Sequence, residues 1–247
     1  MTKTVIDAQK ARYSTRDYTD ETIDPQILEA IVEAGRLTPT SMNGHQVSII
    51  VSQDKTQKAE IGRLSGNQKW IDEAPVFIVV IADLYKTQYG GKKAGFDQAI
   101  QNSVESLTMA AIDAGSVLSN LMLAAESFGL GTVPIGCVRM HPQEMISLLK
   151  LPPLTFPLVG LCIGHKASMA GLKPKMGVQA FRHDECYHPE NLDQAIDEYD
   201  QTIMDHWTKI GRQDGATWSA NTGKSFSKIY FPEVLPAAKK QGFSFDQ

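Results

Sequence analysis

Between Ser103 and Phe128, apolar residues fall at Val104, Leu107, Ala111, Ala114, Leu118, Leu121, Ala125 and Phe128, at alternating steps of three and four. This heptad-like stripe predicts a helix of about 25 residues, roughly 38 Å long. The opposite side is not polar either, because it carries Met109, Ala110, Val117, Met122 and Leu123. A helix apolar most of the way round must be buried. The periodicity leaves two readings open, a central core helix or a helix at a subunit interface. Gly129-Leu-Gly131 ends the segment.

The rest of the chain must supply layers to cover that helix. Ile27, Leu28, Ile31 and Val32 follow Asp24-Pro25, which reads as a helix opening with proline in its first turn and stopped by Pro39. The runs 47–51, 75–82 and 157–164 are β-branched and nearly continuously apolar, so they are strands buried on both faces. An acidic helix over 191–210 is anchored by Ala195, Ile196, Tyr199, Ile203 and Trp207, and 211–215 is a loop. No linker composition and no repeat divides the sequence. We expect a single domain, 1–247, in which 190–247 is an extension that wraps the body or a partner subunit.

The 247 residues carry 24 basic and 28 acidic side chains, a net charge of −4, which disfavours a general nucleic-acid binder. The longest wholly apolar run is seven residues, 76–82, against about 20 for a membrane-spanning helix. The N-terminus lacks the apolar core of a secretory signal. Three scattered cysteines, Cys137, Cys162 and Cys186, make no disulfide framework, so a reduced, cytoplasmic protein is expected.

Several catalytic signatures fail on spacing. Gly129-Leu-Gly131-Thr-Val-Pro134 starts like a dinucleotide fingerprint, but proline stands at the third glycine position and a strand follows instead of a helix. Gly223-Lys-Ser225 resembles the end of a phosphate loop whose first glycine would fall on Trp218. The run His183-Asp-Glu-Cys-Tyr-His188 lacks metal-ligand spacing, and no nucleophile elbow occurs. Two cationic clusters remain: Arg12-Tyr13-Ser14-Thr15-Arg16 and Lys173-Pro174-Lys175. Arginine forks bind phosphate through two parallel hydrogen bonds, but neither cluster identifies a ligand by itself.

Taken in order, a set of segments resembles the nitroreductase/flavin reductase family, closest to its NADPH-dependent oxygen-insensitive nitroreductases and NADPH–FMN oxidoreductases. They are Arg12 to Arg16 with Asp17-Tyr-Thr-Asp-Glu21, Ala34 to Ser41, Gly66-Asn-Gln68-Lys69, Ala124 to Gly131, Pro134-Ile-Gly136, Leu148 to Pro152, Gly160 to Gly164, Leu172 to Lys175, and Thr217-Trp218. Each is weak alone, but together they span about residues 8–220 in the family's order.

The resemblance implies an α+β fold, with a central mixed, mostly antiparallel sheet flanked by helices, in an intertwined homodimer holding FMN at the subunit boundary. It places Arg12, Lys173 and Lys175 on the FMN phosphate, with Tyr13 beside them and Ser14 on the phosphate or ribityl chain. It sets Arg16 and Gln68 at the polar edge of the ring. Ser41 and Asn43 would approach from the partner. Pro134, Ile135 and Gly136 would lie along the ring, with the Gly136 N–H toward N5. Cys137 follows where a second glycine is common, so its side chain either narrows that face or packs inward. Lys209 and Arg212 are the candidates for NADPH. The implied activity is two-electron, ping-pong hydride transfer from NADPH through FMN to small planar oxidants: nitroaromatics, quinones or free flavin. It needs no catalytic side chain and no metal. The alternatives are another acceptor on the same fold (enone reduction, dehalogenation), a non-catalytic FMN-binding module, or a chain without flavin whose cations are merely solvated.

Overall fold

The computed structural model describes residues 4–245. Its strands are β1 (Val47–Ser52), β2 (Val76–Asp83), β3 (Gly131–Ile135) and β4 (Thr155–Gly164), and its helices are α1 (Val5–Ala11), α2 (Pro25–Arg36), α3 (Lys55–Leu64), α4 (Lys69–Glu73), α5 (Leu84–Lys93), α6 (Glu105–Ser127), α7 (Pro142–Leu148), α8 (Leu192–Lys209), α9 (Trp218–Phe226) and α10 (Val234–Lys240). The strands form one sheet in the order β1-β2-β4-β3, every named pair antiparallel. Among the described residues, the parallel component is an isolated bridge, Ser14 to Thr132. The fold is α+β, as the resemblance implied.

Alternation along β2 builds two cores. Phe77, Val79 and Ile81 face one side and pack with α3, α4, α7 and α10 residues, including Ile61, Ile71, Met145 and Ala237. Val76, Ile78 and Val80 face the other and pack with Ile31 of α2 and with Ala114, Val117, Leu121, Met122 and Ala125 of α6. The expected two-faced burial is present in β2 but not in β1, which lies at the sheet's edge, is only partly buried and exposes Val51.

The long helix forms, but its buried face is rotated from the stripe read in the sequence. Ser106, Ala110, Asp113, Ala114, Val117, Leu121, Met122 and Ala125 are buried. Val104, Ile112 and Phe128 are exposed, as are the small residues Ala111, Gly115, Ser116 and Ser119. The sheet and α2 select the inward face, and the periodicity of the helix alone cannot choose between two apolar sides. Among the described residues, α6 is the helix long and apolar enough to cross a bilayer; here its inner face covers the sheet.

The chain divides into two compact units. The second is Gly171–Tyr230, and the rest of the described chain forms the first. The second unit is built on α8, whose Ala195, Ile203 and Trp207 are buried. Residues 231–245 belong to the first unit, where Ala237, Ala238 and Phe243 are buried in its core.

Candidate functional site

The Arg12–Arg16 segment is held by main-chain pairing, not by its own helix propensity. A Thr4–Asp7 capping box starts α1, and Arg12 leaves it in an extended conformation. The Thr15 N–H then donates to Thr132 O at 3.0 Å, and Thr19 N–H donates to His165 O at 3.0 Å. The Tyr18 hydroxyl donates to Thr15 O at 2.8 Å, and burial holds that phenol well above its usual range, so it stays a neutral donor. A side chain at residue 131 would collide with Thr15 and Lys166, so Gly131 is what lets the segment lie against β3. The segment thereby runs beside the strand that ends in Pro134-Ile135 and leads into Gly136.

Within that frame, Arg12 Nη1 is buried and has no hydrogen-bond partner. A buried guanidinium nitrogen without an acceptor is costly, and an anion would satisfy it. Tyr13 is tied back through its hydroxyl to Ser168 O at 3.1 Å, and the Lys166 ammonium lies 5.4 Å from its ring centre. Lys166 also pairs with Glu126 at 2.8 Å. Arg16 is exposed, but its guanidinium carbon stands 5.5 Å above the Trp70 ring, a cation–π arrangement.

Trp70, under Arg16, belongs to α4, and the turn into that helix is the next element of the site. Gly66 and Asn67 both take positive φ, and the Gln68 amide donates to Ser65 O at 2.9 Å while Gln68 caps α4. Ser65 Oγ and Trp70 Nε1 are buried without partners, two further polar atoms directed at no protein group. Gly66 lies against Met140, next to the short helical turn Gly136–Arg139 that follows β3. A side chain at Gly136 would meet only Arg139 Nη2, at 3.7 Å, so its outer side is open. Cys137 packs partly buried against the core of the first unit. Arg139 donates to Leu158 O, the carbonyl of a residue skipped by the β2–β4 register, and lies over Phe231.

Ser41 and Asn43 are held elsewhere in the first unit. Asp113, buried in α6, accepts from Ser41 N at 3.2 Å and from the Gln46 side chain. Met42, Asn43 and His45 all adopt positive φ, and Met42 is 90% exposed. This is a strained, protruding loop, of the kind that persists only where its surroundings hold it.

In the second unit, Lys173 and Arg212 converge on one indole, with the Lys173 ammonium 5.0 Å and the Arg212 guanidinium carbon 4.6 Å from the Trp207 ring centre. Trp207 Nε1 donates to Ala216 O at 3.0 Å, and Arg212 Nε to Asp214 Oδ1 at 3.0 Å. Lys173 and Lys209 line one open groove of about 330 Å³ with Pro174 and His206. Lys175 is exposed. The run from His183 to His188 closes on itself through His188 N–H to His183 Nδ1 and His188 to Glu190. Among the described residues, no group of three or more His, Cys, Asp or Glu side chains is placed to hold a metal.

Sequence reasoning missed Trp70, Asp113 and Trp207 as organisers. Trp70 stands two residues after Gln68, and Asp113 is the one charge in the middle of an apolar helix; both were visible signals.

The Nitroreductase family model matches residues 10–165, and the model for that family's C-terminal domain matches 173–246. The chain is 39% identical over 246 residues to an NAD(P)H FMN reductase of Bacillus subtilis (strain 168), covering 98% of this chain and 99% of that protein. It is 30% identical to the NADPH-flavin oxidoreductase of Vibrio harveyi, covering 97% and 98% of the two chains. The solved structure of B. megaterium NfrA2 superimposes with a TM-score of 0.96 at 36% identity, covering 98% of this chain and 99% of that one.

Proposed function

The chain belongs to the nitroreductase family, and from that premise we propose that it is an FMN-dependent NADPH oxidoreductase that reduces nitroaromatics, quinones or free flavin. The observation that carries the reading is the orphaned, buried Arg12 Nη1, on a segment pinned beside the strand that leads into Gly136. A dianionic phosphate supplies what that nitrogen lacks, and the open side of Gly136 suits a flat ring.

When bound, FMN supplies the two-electron hydride acceptor and donor. Arg12 and Ser14 hold its phosphate end. Arg16, steadied on Trp70, offers positive charge to the pyrimidine edge, where negative charge develops on reduction. Gln68 presents its amide to the same polar edge. Pro134 and Ile135 would line the ring, and the Gly136 N–H would be a donor to it; glycine there lets the backbone come close. No side chain acts as nucleophile, and solvent supplies the proton that accompanies hydride to the acceptor.

A homodimer completes the reading. The outer face of α6, with Ile112 exposed among small residues, is suited to close packing against a second copy. The protruding Ser41–Asn43 loop is the element that reaches the partner's flavin. The unpaired cysteines fit a reducing, cytoplasmic setting. In the second unit, Lys209 and Arg212 are the groups for the 2′-phosphate of NADPH.

The test is anaerobic NADPH oxidation by the FMN-loaded protein with nitrofurazone, a quinone and free FMN. Acceptor-dependent turnover supports the proposal. FMN binding with negligible NADPH oxidation would make the chain a binding module instead.

A further inference from the structure

Lys58 is a lysine only 3% exposed. Its ammonium donates to Ala74 O and, at 3.4 Å, to Asp72 O. These carbonyls terminate α4, a helix of five residues. A helix that short has no stability of its own, so tertiary anchors decide where it sits. Two anchors are present. Lys58 clasps the last carbonyls, and Gly62 of α3 leaves room for the Asp72 carboxylate to lie against the α3 backbone. What this single turn presents at its other end is Gln68 and Trp70, and Trp70 carries Arg16. A buried ammonium is costly to fold, and both of its acceptors belong to the element that sets the Arg16 platform. Burial keeps the Cys162 thiol protonated although the charges of Lys58 and Arg16 both favour its thiolate.

We propose that Lys58 is a positioning residue of the redox site: by locking α4 it holds Trp70 under Arg16, and so sets how much more tightly the site binds reduced than oxidised FMN. The inference rests on the flavin reading above and deepens it. A residue that merely supported the fold would weaken both redox forms alike. A residue that places Arg16 affects the reduced form more, because that form carries the extra negative charge.

The experiment is an anaerobic midpoint-potential measurement of bound FMN, with FMN titration of the apo-protein, on wild type, Lys58→Met, Lys58→Arg and Trp70→Leu. We expect Lys58→Met to lower the reduced-to-oxidised affinity ratio about tenfold, a potential about 30 mV more negative for a two-electron couple. Trp70→Leu is expected to produce the same shift, and adding Lys58→Met to it nothing further. Lys58→Arg should restore most of the wild-type potential. A wild-type potential in Lys58→Met, whatever its melting temperature, overturns the proposal. If Lys58→Met does not fold, Trp70→Leu decides: a wild-type potential there overturns the proposal, and the negative shift supports it. A wild-type chain that binds no FMN overturns the flavin reading itself, an outcome distinct from bound FMN with unshifted variants.

Discussion

In the first unit, Arg12 and Arg16 ride on a segment hydrogen-bonded to β3, against a sheet whose central strand is buried from Val76 to Ala82. In the second, Lys173 and Arg212 share the ring of Trp207, and the buried core of α8 is three side chains, Ala195, Ile203 and Trp207. One unit fixes its cations through an isolated β bridge onto a sheet with two packed cores. The other fixes them through a single aromatic platform. The bridged segment lies on a sheet packed on both faces, whereas a cation–π contact contributes about 0.5–2 kcal/mol.

Deleting the principal aromatic ring of each unit separates them most sharply. Phe77→Ala should cost about 3–5 kcal/mol of global stability, read as a lower denaturation midpoint. Trp207→Ala should instead speed amide hydrogen exchange across 171–230 and leave the first unit's slowest amides unchanged. If Trp207→Ala unfolds the whole chain in one step, the two units are not independent in stability.

The next effect is on the cofactor. Arg12→Ala or Arg16→Ala should weaken FMN binding at least tenfold, since a hydrogen bond to a charged group is worth about 1.5–3 kcal/mol; titration of apo-protein measures it. Lys173→Ala and Lys175→Ala test the sequence expectation that both also serve the phosphate. Each should weaken FMN severalfold, with the loss shrinking as salt is raised. The smallest change is expected for Arg212→Ala, an exposed residue already paired with Asp214. It should raise the KM for NADPH severalfold and leave that for NADH unaltered, in steady-state assays with one acceptor.

The elements with strong periodic or compositional signals were legible in the sequence. The expected helix over 25–37 forms as α2, capped by Asp24. The three apolar runs form β1, β2 and β4, and the acidic segment forms α8. The short helices were not legible, because α4 and α7 owe their conformation to tertiary anchors more than to their own five or seven residues. The inward face of α6 was misread for a related reason: both of its sides are apolar, and only the sheet selects one. At the site, the residue types carrying the family resemblance were readable, and the structure sets Arg16 over Trp70, two residues after Gln68, and Gly66 against Met140, just beyond the turn that starts at Gly136. Their supports were hidden. Trp70 and Asp113 stood out as residue types, but no spacing announces that Trp70 lies under Arg16, that Lys58 clasps α4, or that Asp113 restrains the loop at Met42, since each contact is made only by the tertiary fold.

Fluorescence titration of FMN into apo-protein, run side by side on wild type and on the Arg12→Ala/Arg16→Ala double variant, tests the central claim most directly. The account predicts saturation of wild type at one FMN per chain and loss of that binding in the variant. Equal, saturable binding by both proteins would contradict it.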